Sequence, residues 1–273
     1  VPLKIYRFRY RRRVFTGVLK EEFLFPVIGS VFGDFRIGSS PVPIGDFRIG
    51  SSPVPIGDVR ILPPVLPTKI VGIGRNYREH AKEMGHPLPE EPLIFLKPPT
   101  AVVGHLDAVV QPPVSRRVDY EGEVGVVIRR KARQLGENDP IDDVILGYTC
   151  FNDVTARDLQ GRDVQFTRAK GFDTFAAVGP CVATGLDPAA IRLKTFLNGK
   201  LVQSGTTASL IFPIPYLVRY VSRIMTLNPG DIIATGTPDG VGATAPGDRV
   251  DVQVEGVGVL SNTFTRPGGK EAS

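Results

Sequence analysis

Asp119-Tyr120-Glu121-Gly122-Glu123 runs directly into the apolar stretch 124–128. In an extended chain residues two apart share a face, so Glu121 and Glu123 project to one side. Two carboxylates held that close repel unless positive charge sits between them, and an oxygen-seeking divalent cation is the economical source. Asp153, in the polar pair Asn152-Asp153 expected to turn after the strand-like run 144–150, offers a third hard oxygen. Carboxylates without cysteine favour Mg²⁺, Mn²⁺ or Ca²⁺ over zinc. An exposed acidic strand edge, kept charged against aggregation, would carry the same letters. His80 and Glu83 are three apart and therefore share a face if their segment is helical.

The elements that must position these groups are mostly strands. With Gly 30 and Pro 25 in 273 residues, the chain is rich in turn formers and poor material for a helical bundle. Residues 4–20 read as a hairpin, with Tyr6, Phe8 and Tyr10 alternating with Arg7, Arg9 and Arg11. Strand-like runs follow at 69–73, 93–96, 124–128, 144–148, 178–183, 195–197, 231–234 and 249–254. Two segments have helical character: 75–84, stopped by Gly85, and 215–225, with Leu217, Val218, Val221, Ile224 and Met225 on helical spacing and Asn228-Pro229-Gly230 after it. Prolines clustered at 62–68 suggest a boundary between a small N-terminal β-rich domain, 1–65, and a large domain, 66–268. Within the first, the twelve residues 34–45 recur letter for letter at 46–57. Two Pro/Gly-rich copies are too few for a solenoid, and the segment reads as loop.

Several function classes are disfavoured. Cys150 and Cys181 make neither a disulfide framework nor a zinc motif, which points to a reducing cytoplasmic setting. No signal peptide is expected, and the best apolar run, 210–218, is too short for a bilayer. The net charge of +5 is concentrated in Lys4, Arg7, Arg9, Arg11, Arg12 and Arg13, a pattern read as a solvated strand rather than a nucleic-acid surface.

The motifs together resemble those of the fumarylacetoacetate hydrolase family. Gly74-Arg75-Asn76-Tyr77 followed by His80 and Glu83 is similar to that family's G-R-N-Y-x-x-H-x-x-E segment. D-Y-E-G-E at 119–123, N-D-V-T-A-R-D-L-Q at 152–160, K-G-F-D-T at 170–174 and T-G-T-P-D-G-V-G at 235–242 follow in the family's order, over roughly residues 69–265. The resemblance is to the acylpyruvate hydrolase and 2-hydroxyhepta-2,4-diene-1,7-dioate isomerase-like branch. It implies a β-rich α+β fold, a mixed β-sandwich roll with a small N-terminal domain, and commonly a homodimer. It implies Glu121, Glu123 and Asp153 as cation ligands and His80, Glu83 and Lys170 as catalytic groups. Arg75, Tyr77, Arg157, Gln160 and Thr237 are the implied substrate contacts; Arg157 and Gln160 are also spaced for one face of a helical turn.

The implied reaction passes through a metal-bound enolate of a small 2-oxo or enol carboxylic acid. Hydrolytic C–C cleavage of an acylpyruvate is the first expectation. The alternatives are isomerisation or decarboxylation of 2-hydroxyhepta-2,4-diene-1,7-dioate or oxaloacetate-type acids, and a metal-stabilised scaffold without turnover. Two departures bear on substrate detail: Ala176-Ala177 after Phe175 where the family often has x-Pro, and Pro99 where relatives commonly have serine.

Overall fold

A computed structural model of the chain describes residues 2–33, 35–37, 54–79 and 88–268. Most of the repeated segment, 38–53 together with residue 34, lies outside the described residues, so the loop reading of it does too.

Strands dominate, and the fold is the β-rich α+β arrangement expected. The main sheet has thirteen strands. Through its centre run, side by side, Lys4–Tyr10, Ala176–Ala183, Ile145–Asp153, Gly122–Ile128, Ile232–Ala234, Ile70–Gly74 and Leu93–Lys97. Neighbours there are antiparallel except Ile232–Ala234 beside Ile70–Gly74, which makes the sheet mixed. A five-stranded sheet, with Arg192–Leu197, Lys200–Thr206, Arg249–Val254 and Gly258–Thr265, packs against it. A three-stranded sheet joins Val118–Tyr120 to Thr155–Ala156 and Gly242–Thr244.

Alternation along Gly122–Ile128 explains the layering. Val124, Val126 and Ile128 face the core shared with Leu193, Val250, Val252 and Leu260 of the five-stranded sheet. Val127 points the other way, into a second cluster with Ile5, Val18, Phe151 and Val178. A strand buried on both faces reads as an unbroken apolar run, as this one does. The N-terminal hairpin is present as Lys4–Tyr10 and Arg13–Lys20, with Phe8 buried and Arg9 exposed. It joins the main sheet through Lys4 opposite Ala183 and Ile5 opposite Val182.

Helices are few. The helix Ile214–Ile224 matches its periodicity, burying Leu217, Val218 and Val221. None of the described helices is long and apolar enough to cross a membrane. Two local expectations change. Residues 75–77 are not helical: Arg75 takes φ 58° and Tyr77 bridges to Leu210. The cause is Asn76, whose side chain donates to the carbonyls of Thr235 and Phe212 and accepts from the Phe212 N–H, pinning the chain before a helix can start. Asn152-Asp153 is also no turn but the end of the strand Ile145–Asp153, because both residues find ladder partners in Ala177 and Ala176.

Candidate active site

Glu121 sits between two sheets, one residue past Val118–Tyr120 and one before Gly122–Ile128. Its backbone is fixed on both sides: its N–H donates to Asn152 Oδ1 at 3.0 Å and its carbonyl accepts from Asp153 N at 2.8 Å. That exchange brings Asp153 alongside the glutamate pair. Glu121, Glu123 and Asp153 each offer an oxygen, and these oxygens all lie within 4.8 Å of one another. All three residues are buried.

Positive groups close around them. Lys170, 2% exposed, donates from Nζ to Glu121 Oε2 at 2.9 Å and to Asp153 Oδ2 at 2.6 Å. Burial alone would lower its pKa, but the Asp153 and Glu121 charges outweigh it and hold the ammonium above its ordinary range. Lys97, fully buried, donates to Asp153 Oδ1 and to the Val154 carbonyl. Burial brings it down to about 8, with Lys170 pushing the same way and Asp153 resisting. Arg157 starts the short helix Arg157–Gln160, donating to Glu121 Oε1, to Asp119 Oδ2 at 2.9 Å and to Gln160 Oε1 at 2.6 Å. Its fork is therefore turned onto the protein's own acids.

Glu123 differs from its neighbours. It accepts the Gly236 N–H at 2.8 Å and makes no ion pair among the described residues. Burial, then repulsion from Asp153 and Glu121, drives its pKa well above the carboxylate range. Gly236 can present its N–H because its φ of 99° is open to glycine, and a Cβ there would meet Asn76 Cβ at 2.8 Å. Hard oxygens clustered this closely, one of them without a cation of its own, fit a divalent ion with oxygen preference.

A cavity of about 420 Å³ opens onto this cluster. Arg75, Glu121, Glu123, Asp153, Arg157, Gln160, Lys170 and Thr237 line it, with Phe95 and Phe166 as an apolar wall. The Lys170 ammonium lies 4.9 Å from the centre of the Phe95 ring. Tyr77 is buried and does not line the cavity, and its hydroxyl has no hydrogen-bond partner among the described residues. Burial first and the Glu123 charge second raise its pKa. The structure thus brings together the three proposed ligands, Lys170 and four of the five proposed contacts, with Tyr77 buried outside the lining. His80 and Glu83 lie outside the described residues.

Sequence reasoning passed over Lys97, Asp119 and Gln203. Lys97 had no clear signal, because residues 93–96 are apolar throughout; it shares a strand face with Leu93 and Phe95, which line the cavity. Asp119 was inside the acidic motif and is 0% exposed, gripped by Arg117 and Arg157. Gln203 had none, because its partners are 81 and 34 residues away in the chain.

A family model described as "Fumarylacetoacetate (FAA) hydrolase C-terminal" matches residues 69–265. Oxaloacetate tautomerase YisK of Bacillus subtilis is 44% identical over 206 residues, covering 71% of this chain and 68% of that protein. The 4-hydroxyphenylacetate degradation bifunctional isomerase/decarboxylase of Escherichia coli is 44% identical over 200 residues, covering 71% of this chain and 46% of that one. The crystal structure of 2-hydroxyhepta-2,4-diene-1,7-dioate isomerase from Mycobacterium marinum superposes with a TM-score of 0.86 at 36% identity, covering 98% of this chain and all of that one.

Proposed function

The chain belongs to the fumarylacetoacetate hydrolase family of enzymes acting on small acids, and from that premise we propose that it interconverts enol and keto forms of a small 2-oxo dicarboxylic acid of the oxaloacetate type. Decarboxylation of such acids is the companion reaction, because both pass through the same enolate. Most of the relatives whose names give a reaction are a tautomerase, isomerases or an isomerase/decarboxylase, beside one named as a fumarylacetoacetate hydrolase. They support this reading over hydrolytic cleavage of an acylpyruvate.

The observation that carries the proposal is the convergence of Glu121, Glu123 and Asp153 at the floor of a cavity walled by cationic side chains. These three residues would hold Mg²⁺, with Mn²⁺ or Ca²⁺ as substitutes. A cation bound there supplies Lewis acidity to substrate oxygens that gather negative charge. Lys170 adds a second, fixed positive charge beside the same oxygens, in a site where burial strengthens it. Arg75 provides a guanidinium for a substrate carboxylate, and Arg157 adds positive charge to the wall while its fork holds Asp119, Glu121 and Gln160. Gln160 and Thr237 line the same space, with Tyr77 buried close to Glu123. His80 and Glu83 carry the proton between carbon and oxygen in this scheme, the carboxylate fixing the imidazole. Cytoplasmic residence and a homodimer belong to the same proposal; a light-scattering mass near twice 29.6 kDa tests the second.

Supplying the purified protein with oxaloacetate and with acetylpyruvate, in Mg²⁺ and in EDTA, tests the reaction. Loss of the oxaloacetate enol, read by its ultraviolet absorbance, should accelerate with Mg²⁺ and protein above the rate with Mg²⁺ alone and fall to the spontaneous rate with EDTA. Cleavage of acetylpyruvate alone would replace this reading with hydrolysis. No turnover of either acid by protein with cation bound would leave a metal-stabilised scaffold.

A further inference from the structure

Gly122 stands between the two glutamate ligands, and both of its backbone polar groups are held by side chains rather than by ladder neighbours. Its N–H donates to Gln203 Oε1 at 3.0 Å, and its carbonyl accepts from Thr237 Oγ1 at 2.9 Å. The two clamps are tied to each other: Gln203 Nε2 donates to Thr237 Oγ1 at 2.8 Å and to the Pro238 carbonyl at 2.9 Å. The chain of donors runs one way, from Gln203 through the threonine hydroxyl to Gly122.

Gln203 comes from Lys200–Thr206, the outermost strand of the five-stranded sheet in its pairing order. Its neighbours there are exposed or half-buried, and it alone is buried, at 2% exposure. Burying a primary amide costs free energy unless its donors and acceptor are used, and here both N–H groups and the oxygen are. Gly122 must be glycine for the approach to exist, since a Cβ would fall 2.0 Å from Thr195 Oγ1 and 3.2 Å from Gln203 Oε1.

We propose that Gln203 is a positioning residue for the cation, acting with Thr237 through the Gly122 peptide to aim Glu121 and Glu123 at one point. The inference rests on the reading of Glu121, Glu123 and Asp153 as the metal ligands. It gives Thr237 a different duty from a plain substrate contact, because its one proton is committed to Gly122.

Mn²⁺ binding to the full chain, followed by electron paramagnetic resonance, tests it in the wild type and in Gln203→Leu, Thr237→Val and Thr237→Ser, with thermal melts confirming that each folds. Loss of an outer-shell partner costs about 10- to 100-fold in metal affinity. Gln203→Leu and Thr237→Val should each weaken Mn²⁺ by that factor and broaden its spectrum, while Thr237→Ser restores both. If Gln203→Leu does not fold, the valine and serine pair decides alone. Wild-type affinity and line shape in folded Gln203→Leu, or in Thr237→Val, overturn the proposal. A wild-type protein that binds no Mn²⁺ overturns instead the ligand reading beneath it.

Discussion

Among the three clustered carboxylates, Glu123 is the one most out of balance, with burial and repulsion from two acids outweighing the Lys170 charge and one backbone N–H. Removing it takes away an oxygen that no neighbouring residue replaces. Glu123→Ala should weaken Mg²⁺ or Mn²⁺ by more than about 100-fold, beyond what loss of a supporting partner costs, and turnover should vanish with it. His80→Ala should keep wild-type cation affinity and lose about 10²- to 10⁴-fold in kcat, the range of general acid–base catalysis. Calorimetric titration beside steady-state rates separates the two outcomes, and retained turnover in His80→Ala removes that residue from the scheme. The three acids were legible because two of them share one face of an extended segment and the third lies in a recognisable motif. Lys97 was not, since a lysine at a strand end is ordinarily solvated; only the fold shows that it is buried against Asp153.

At the level of elements, the parallel pairing of Ile70–Gly74 with Ile232–Ala234 depends on Asp231, which is 0% exposed. Its carboxylate accepts from the Thr68 and Lys69 N–H groups, the Thr68 hydroxyl, the Lys69 ammonium and the Asn228 N–H. Asp231→Ala leaves those donors unpaired and should cost about 3–5 kcal/mol, the range for breaking a buried pair. Urea unfolding followed by circular dichroism measures it. His105 links a second junction to pH, for its Nδ1 accepts the Ser261 N–H at 3.1 Å and must be unprotonated to do so. Burial, then Arg249, lowers its pKa below the ordinary 6.5 against the pull of Asp251 and Asp107. A histidine depressed in the folded state contributes stability fully above 6.5 and loses it as pH falls through 6.5 toward its folded value. Denaturation midpoints should therefore fall across that window, and His105→Asn should flatten the slope. Strands were readable where apolar runs were long, and 249–254 is predicted and found with the same bounds. They were missed at Lys200–Thr206, whose exposed edge position gives no apolar face to read. The helix expected over 75–84 does not include its first three residues, because propensity cannot register a tertiary clamp such as Asn76; Arg78 and Glu79 are helical, and 80–84 lie outside the described residues.

For the molecule as a whole, cation and fold should stabilise each other, because the ligand oxygens come from two central strands and the segment leading into one of them. At a cation concentration 100 times its dissociation constant the linked gain is about 2.7 kcal/mol. Tm should rise by several degrees in Mg²⁺ and drop back in EDTA, and Glu123→Ala should show no such shift in a calorimetric scan. The family match begins at residue 69, yet the first hairpin lies along the upper half of Ala176–Ala183, with Leu3 and Thr184 exchanging hydrogen bonds as well. A fragment lacking the first 65 residues would keep every proposed ligand but bare the amide row at Val182 and Ala183, together with the apolar surface that Ile5 and Val18 cover. Such a margin pairs readily with another copy of itself, so the shortened enzyme should precipitate on concentration although its chemistry is intact.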